Sequence, residues 1–144
     1  MRALADIEGM LLHRLSLLRL GPADAFETID GFAGQGKARV VEDLRRRRKP
    51  AALVSYAGRT RTSSGESFRF SLFVATESLR GIGEPRTGGE GVLGMHRLLD
   101  LVRGSLDGTT LPCGVGLTLI SEAHLVDDDR FVVFEQKYEI EEGS

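Results

Sequence analysis

The chain has 144 residues, 41% hydrophobic and 28% charged, with a net charge of −2 and one cysteine. That length matches a single ordinary domain able to bury about two thirds of its unfolded surface, and the balance of residues excludes both a disordered chain and one drawn to polyanions by total charge alone. Cys113 excludes an internal disulfide and fits a reducing compartment; no apolar run reaches the ~18 residues of a membrane span, and Met1-Arg2-Ala3 leads into a segment holding Asp6 and Glu8, which predicts no signal-directed export.

From Ala3 to Leu20, Leu4, Ile7, Leu11, Leu15 and Leu18 mark one helical face, widened by Met10 and Leu12, and Gly21-Pro22 stops the pattern. Ala25 to Asp30 alternates weakly and reads as an edge strand, broken by Gly31, Gly34 and Gly36. Residues 37–49, KARVVEDLRRRRK, predict a short helix on Val40, Val41 and Leu44 that Pro50 limits, because the residue before proline avoids helical angles. Ala51 to Ala57 is a compact apolar run, hence a buried strand, and the polar Gly58 to Gly65 reads as a hairpin loop. Between Glu66 and Thr76, Phe68, Phe70, Leu72, Val74 and Thr76 fall on one face of a strand. The other face reads as largely wet, with Phe73 as its exception. Arg80 to Glu90 is glycine-rich and polar, a projecting arm.

Gly91 to Leu106 carries Val92, Met95, Leu99, Val102 and Leu106 at spacings of three and four, with Leu98 beside them, which predicts a core helix that Asp107-Gly108 stops. Leu117 to Val126 and Arg130 to Ile140 predict a strand pair joined through Asp127-Asp128-Asp129, with Val132, Phe134, Tyr138 and Ile140 sharing a face around Gln136. The expected fold is α+β: an antiparallel sheet of four to five strands with two long amphipathic helices packed on one face, in one domain spanning residues 1–144.

Candidate chemistry is sparse. Gly31-Phe-Ala-Gly-Gln-Gly36-Lys37-Ala38 matches a phosphate-binding loop in every position but the last, where Ala38 lacks the hydroxyl that holds Mg²⁺, and the preceding FETID is not the apolar strand such a loop springs from. The stretch therefore reads as a glycine turn, and Lys37→Ala is expected to leave stability nearly unchanged. His13, His96 and His124 lie far apart without metal-ligand spacing, and Cys113 in Leu-Pro-Cys-Gly has no neighbouring base. No catalytic residue, cofactor site or metal site is assigned, so the chain is expected not to be an enzyme.

Charge distribution says more than total charge. Residues 37–49 carry seven basic side chains (Lys37, Arg39, Arg45, Arg46, Arg47, Arg48, Lys49) against Glu42 and Asp43, a balance of +5, whereas residues 122–142 carry eight acids against Arg130 and Lys137, a balance of −6. Arg45 to Lys49 could grip a nucleic-acid backbone, but no aromatics interleave for base stacking. A solvated helix face is the plain alternative. The third reading is an interface in which Arg45, Arg46, Arg47 and Arg48 of one subunit face Asp127, Asp128 and Asp129 of the next, with Phe73 adding contact area.

Taken together, ADIEGMLLHRL, LRRRRKPAALVSYAG, FRFSLFVATESLRG, GVLGMHRLLDLVRGSLDG and the terminal FEQKYEI resemble a family of small tail-assembly proteins in Mu-like phages and prophages. The resemblance implies a non-enzymatic virion assembly protein, a tail terminator or tail completion protein that caps the head-proximal end of a contractile tail as a ring, expected to be a hexamer. Implied partners are further copies of the chain, the tail tube or sheath and the head-tail connector, with no membrane. The implied location is the host cytoplasm during assembly and then the virion tail. The alternatives are a nucleic-acid-binding accessory protein using Arg45 to Lys49 and a nucleotide-dependent enzyme using the Gly31 to Lys37 loop.

Overall fold

The computed structural model describes residues 4–20, 22–32, 36–62, 65–77, 90–111, 114–127 and 131–142. The elements run α1 (Leu4–Ser16), β1 (Arg19–Leu20), β2 (Ala23–Asp24), β3 (Thr28–Gly31), α2 (Lys37–Arg46), β4 (Ala51–Thr62), β5 (Gly65–Glu77), α3 (Glu90–Leu106), β6 (Val115–Asp127) and β7 (Phe131–Glu142). Five strands form one sheet in the order β3-β4-β5-β7-β6, and β1 with β2 makes a separate small hairpin. The α+β class stands as expected. The sheet, however, is mixed, because β3 pairs parallel with β4 while every other ladder is antiparallel.

The cause is the crossover. Two parallel neighbours need a connection that carries the chain back along the sheet, and α2 supplies it between β3 and β4. In place of two long helices there are three among the described residues, of 13, 10 and 17 residues. α1 ends at Ser16 rather than Leu20 because its last turn tightens, Leu17 N–H donating to the Arg14 carbonyl and Leu18 N–H to that of Leu15, after which Arg19 and Leu20 enter the hairpin. The polar stretch 58–65 is also less of a loop than its composition suggests. β4 continues to Thr62 past a bulge between Tyr56 and Gly58, where Gly58 adopts φ 145°, a backbone angle open chiefly to glycine. The expected arm 80–90 lies, apart from Glu90, outside the described residues.

One sheet face packs against α1 and α3. Ile7, Leu11 and Leu15 of α1 and Met95, Leu98, Leu99, Val102 and Leu106 of α3 are buried against Phe68, Phe70, Leu72, Val74, Val132, Tyr138 and Ile140. Phe134 packs at the margin of this core. The other face is covered at one end by α2: Val40 and Leu44 lie on Leu53, Phe73, Ala75, Phe131 and Val133. Phe73, expected on a wet face, is only 3% exposed, since an amphipathic α2 needs an apolar floor and the face opposite the main core provides it.

A buried polar chain locks α3 to the sheet. Gln136, fully buried on the main-core face of β7, donates from Nε2 to the Leu99 carbonyl at 3.4 Å and to Glu122 Oε1 at 2.8 Å, and its Oε1 accepts the Tyr138 hydroxyl at 2.8 Å. Arg14 Nε adds a bond from α1 to the Ser105 carbonyl at 2.9 Å. At the far edge, β6 carries two register shifts, between Leu119 and Ser121 and between His124 and Val126. Among the described residues no helix is long and apolar enough to cross a membrane.

Two outcomes test this packing. Leu99 is 1% exposed, so Leu99→Ala is expected to destabilise by about 2–5 kcal/mol in denaturant unfolding; a loss under about half a kcal/mol would place it outside the core. Burial, reinforced by Asp107, pushes the Tyr138 hydroxyl above its ordinary pKa of 10.0. A group whose pKa is raised by folding stabilises fully below its unfolded pKa and loses that contribution as pH climbs through the folded value. Stability should therefore fall as pH rises past about 10. Tyr138→Phe should lose about 1 kcal/mol at pH 7 and show a shallower alkaline decline; an unchanged alkaline slope would contradict the assignment.

Candidate functional site

The glycine stretch ends in a setting that its flanking sequence conceals. β3, α2 and the parallel β4 form a strand-helix-strand unit, but β3 is half-buried and polar in part, not a buried apolar strand. Gly36 precedes α2 with φ 90° and, as the N-cap, makes no side-chain cap hydrogen bond. Lys37 opens the helix but does not stand free over it. Its Nζ lies 3.2 Å from Glu135 Oε1, the lysine being 59% exposed and the glutamate side chain only 4%. Glu135 Oε2 accepts the Ser71 hydroxyl at 2.6 Å.

These groups border a cavity of about 470 Å³ whose lining includes Gly36, Lys37 and Val40 of the helix side and Ser55, Ser71, Phe73, Glu135 and Lys137 of the sheet. The strand register explains the arrangement: Ser55, Ser71 and Lys137 are paired across β4, β5 and β7, and Leu53, Phe73 and Glu135 form the next row on the same face. α2 covers the apolar end of that face, and the cavity opens where its first turn stops. Glu135, Ser71, Ser55 and Lys137 escaped the sequence reading. By alternation they fall on the face that looks wet, and the one signal near them was the lysine of the loop motif.

The interface candidates divide. Arg47 is held within the subunit, 3.0 Å from both Asp30 Oδ2 and Asp43 Oδ2. The hydrogen bond from Arg47, helped by the Gly31 N–H, holds the Asp30 carboxyl below the usual range. Arg45 sits with its guanidinium 4.8 Å from the centre of the Phe131 ring and 3.7 Å from Glu42. Lys49 donates to the carbonyls of Arg45 and Arg47, and burial pulls its ammonium below the ordinary lysine value. Arg46 is exposed, and Arg48 is 88% exposed with Glu27 at 3.9 Å. Phe73, buried under α2, offers no contact area to a neighbour, which corrects that expectation. Asp127 closes β6 opposite Val132, while Asp128 and Asp129 lie outside the described residues.

Much of the charge asymmetry read along the chain is thus settled inside it. Glu135 meets Lys37, Glu139 meets Arg69 at 3.5 Å, and Glu122 meets Arg103 at 3.7 Å. Two histidines far apart in sequence converge on one ring: His124 stacks on Phe134 with centroids 4.6 Å apart, and His96 meets the same ring edge-on at 6.2 Å. His13 is exposed on α1. Cys113 lies outside the described residues.

The bond from Lys37 to Glu135 gives a reason against the expectation that Lys37→Ala leaves stability nearly unchanged, because removing the ammonium leaves a buried carboxylate with Ser71 alone. Lys37→Ala is expected to destabilise by about 1–2 kcal/mol, less than for a fully buried pair because the lysine is largely solvated. Adding Glu135→Gln should recover most of the loss in urea unfolding. An unchanged midpoint for Lys37→Ala would refute the pairing.

Compared with protein-family models the chain matches none, and no curated protein matches it, so the sites are read from the geometry above.

Proposed function

We propose that the chain is a non-enzymatic phage or prophage assembly protein that completes the head-proximal end of a contractile tail as a ring of six copies, contacting the tube or sheath and the connector. The observation that supports this reading is the unlikeness of the two lateral edges of the sheet. A closed ring needs two different, complementary surfaces on each subunit.

One row of residues, Thr28, Ala51, Ala75, Val133 and Val126, crosses all five strands. At its β3 end lies the basic end of α2, tied down by the Thr28 hydroxyl donating to the Arg48 carbonyl at 2.8 Å and by Arg47 on Asp30. At its β6 end the chain runs into Asp127-Asp128-Asp129. The basic end of α2 therefore lies by one edge and the last residue of β6, Asp127, by the other at the same end of the sheet, and we take the sequence Asp127-Asp128-Asp129 as the acidic side of the seam. Arg46 and Arg48 are the outward arginines of this seam, because Arg45 and Arg47 are engaged within the subunit. Exposed pairs stabilise by at most about 1 kcal/mol each, so their role is to orient and speed assembly. The nucleic-acid reading weakens on the same geometry, since Arg47 and Lys49 turn inward.

Arg46→Glu combined with Arg48→Glu is expected to leave circular dichroism and melting unchanged while tails assembled with the variant stay uncapped by electron microscopy. Normal capping by the variant would remove the electrostatic seam, and absence of the wild-type protein from finished tails would remove the reading itself.

A further inference from the structure

The cavity beside the first turn of α2 plays no part in the edge-to-edge assembly, and its chemistry is selective. Glu135 is 3% exposed, and both carboxylate oxygens are already occupied, one by the Ser71 hydroxyl at 2.6 Å and the other by Lys37 at 3.2 Å. Because it is buried, its remaining lone pairs are hardly accessible to a further cation. What it does is hold the Lys37 ammonium at the cavity rim.

On the floor, Lys137 is half-buried beside Ser71 and has no hydrogen-bond or ion-pair partner among the described residues. The lining thus holds two lysines against one glutamate, a surplus of one positive charge that an incoming anion would balance. The N-terminus of α2, where Gly36 supplies no side-chain cap, biases the local field the same way. Val40 and Phe73 make an apolar wall, and a space of about 470 Å³ falls within the range of small-molecule sites rather than that of a bare ion.

We propose that this cavity binds a small organic oxyanion, a phosphate or carboxylate on a compact apolar body, with the charged group between Lys37 and Lys137 and the body against Val40 and Phe73. Charges then alternate from Glu135 to Lys37 to ligand to Lys137, so every ionic group faces its opposite. A simple cation is disfavoured because the one carboxylate is buried and already pairs with Lys37 and Ser71, and a neutral ligand would leave Lys137 without a partner among the described residues. This inference is independent of the tail reading, and either can fail alone.

The test titrates full-length protein with inorganic phosphate, phenyl phosphate and benzoate at matched ionic strength, read by calorimetry and by amide chemical shifts. Saturable binding below about 10 mM is expected, tighter for an aryl probe than for inorganic phosphate, with shifts centred on Lys37, Ser55, Ser71 and Lys137. The preferred aryl probe, phosphate or carboxylate, identifies the oxyanion. Lys137→Gln should weaken binding about tenfold and Lys137→Arg should restore it, as loss and return of a charge-assisted hydrogen bond would. No saturation by any probe, shifts centred elsewhere on the wild-type protein, or a folded Lys137→Gln variant that binds as well as wild type would overturn the proposal. The wild-type shift map decides the matter even if the glutamine variant fails to fold.

Discussion

Two adjacent residues of β7 face a constraint on which the remaining architecture depends: Glu135 and Gln136 are both polar, both almost wholly buried, and point to opposite sides of the sheet. A buried polar group without partners costs more than most single contacts return. Each side of the sheet must therefore bring bonding groups to this strand. On one side α3 presents the Leu99 carbonyl and the sheet supplies Tyr138 and Glu122. On the other, α2 places Lys37 and β5 places Ser71. Apolar packing alone would allow either helix to slide by a turn at modest cost, whereas these bonds are satisfied in one register only.

The two faces are unequal in cover. α1 and α3 close one face along much of its length, and the 10-residue α2 closes only one end of the other. That inequality comes directly from connectivity. A helix confined between β3 and β4 by a short crossover cannot extend over the whole sheet, so the face it serves divides into an apolar half under the helix and a polar half beyond it. The cavity sits at that boundary, where desolvated and solvated environments meet and a charged side chain is most sensitive to what lies next to it.

Helical and strand periodicity made the main core legible from the residues themselves: Ile7, Leu11 and Leu15, then Met95, Leu99 and Val102, then Phe68, Phe70, Leu72 and Val74 all face where their spacing puts them. The mixed sheet was not legible, since nothing in Thr28 to Gly31 encodes the direction of its partner and strand direction is decided by the length of α2. The second core was hidden for a related reason. Phe73, Ala75 and Val133 share strands with Ser71 and Glu135, and a face that is apolar for half its length reads as wet when averaged. Charge was misread in the same manner, because runs of like sign along the chain gave no sign that Arg47 would meet Asp30 or that Lys37 would cross to Glu135.

β6 is a 13-residue strand on the outside of the sheet, with Ile120 and Ala123 exposed along it. Gly108, Thr109 and Asp107 bond Leu117 and Leu119 at its start, and the edge beyond them is ordinarily a template on which a stray strand can add and fibres can grow. The irregularities at Leu119/Ser121 and His124/Val126 change this, because each inserts an unpaired residue and bends the strand. A straight newcomer would find donors and acceptors in step for only a few residues before losing alignment. The chain can therefore leave the rest of that flank open at high protein concentration without it seeding indiscriminate backbone polymerisation.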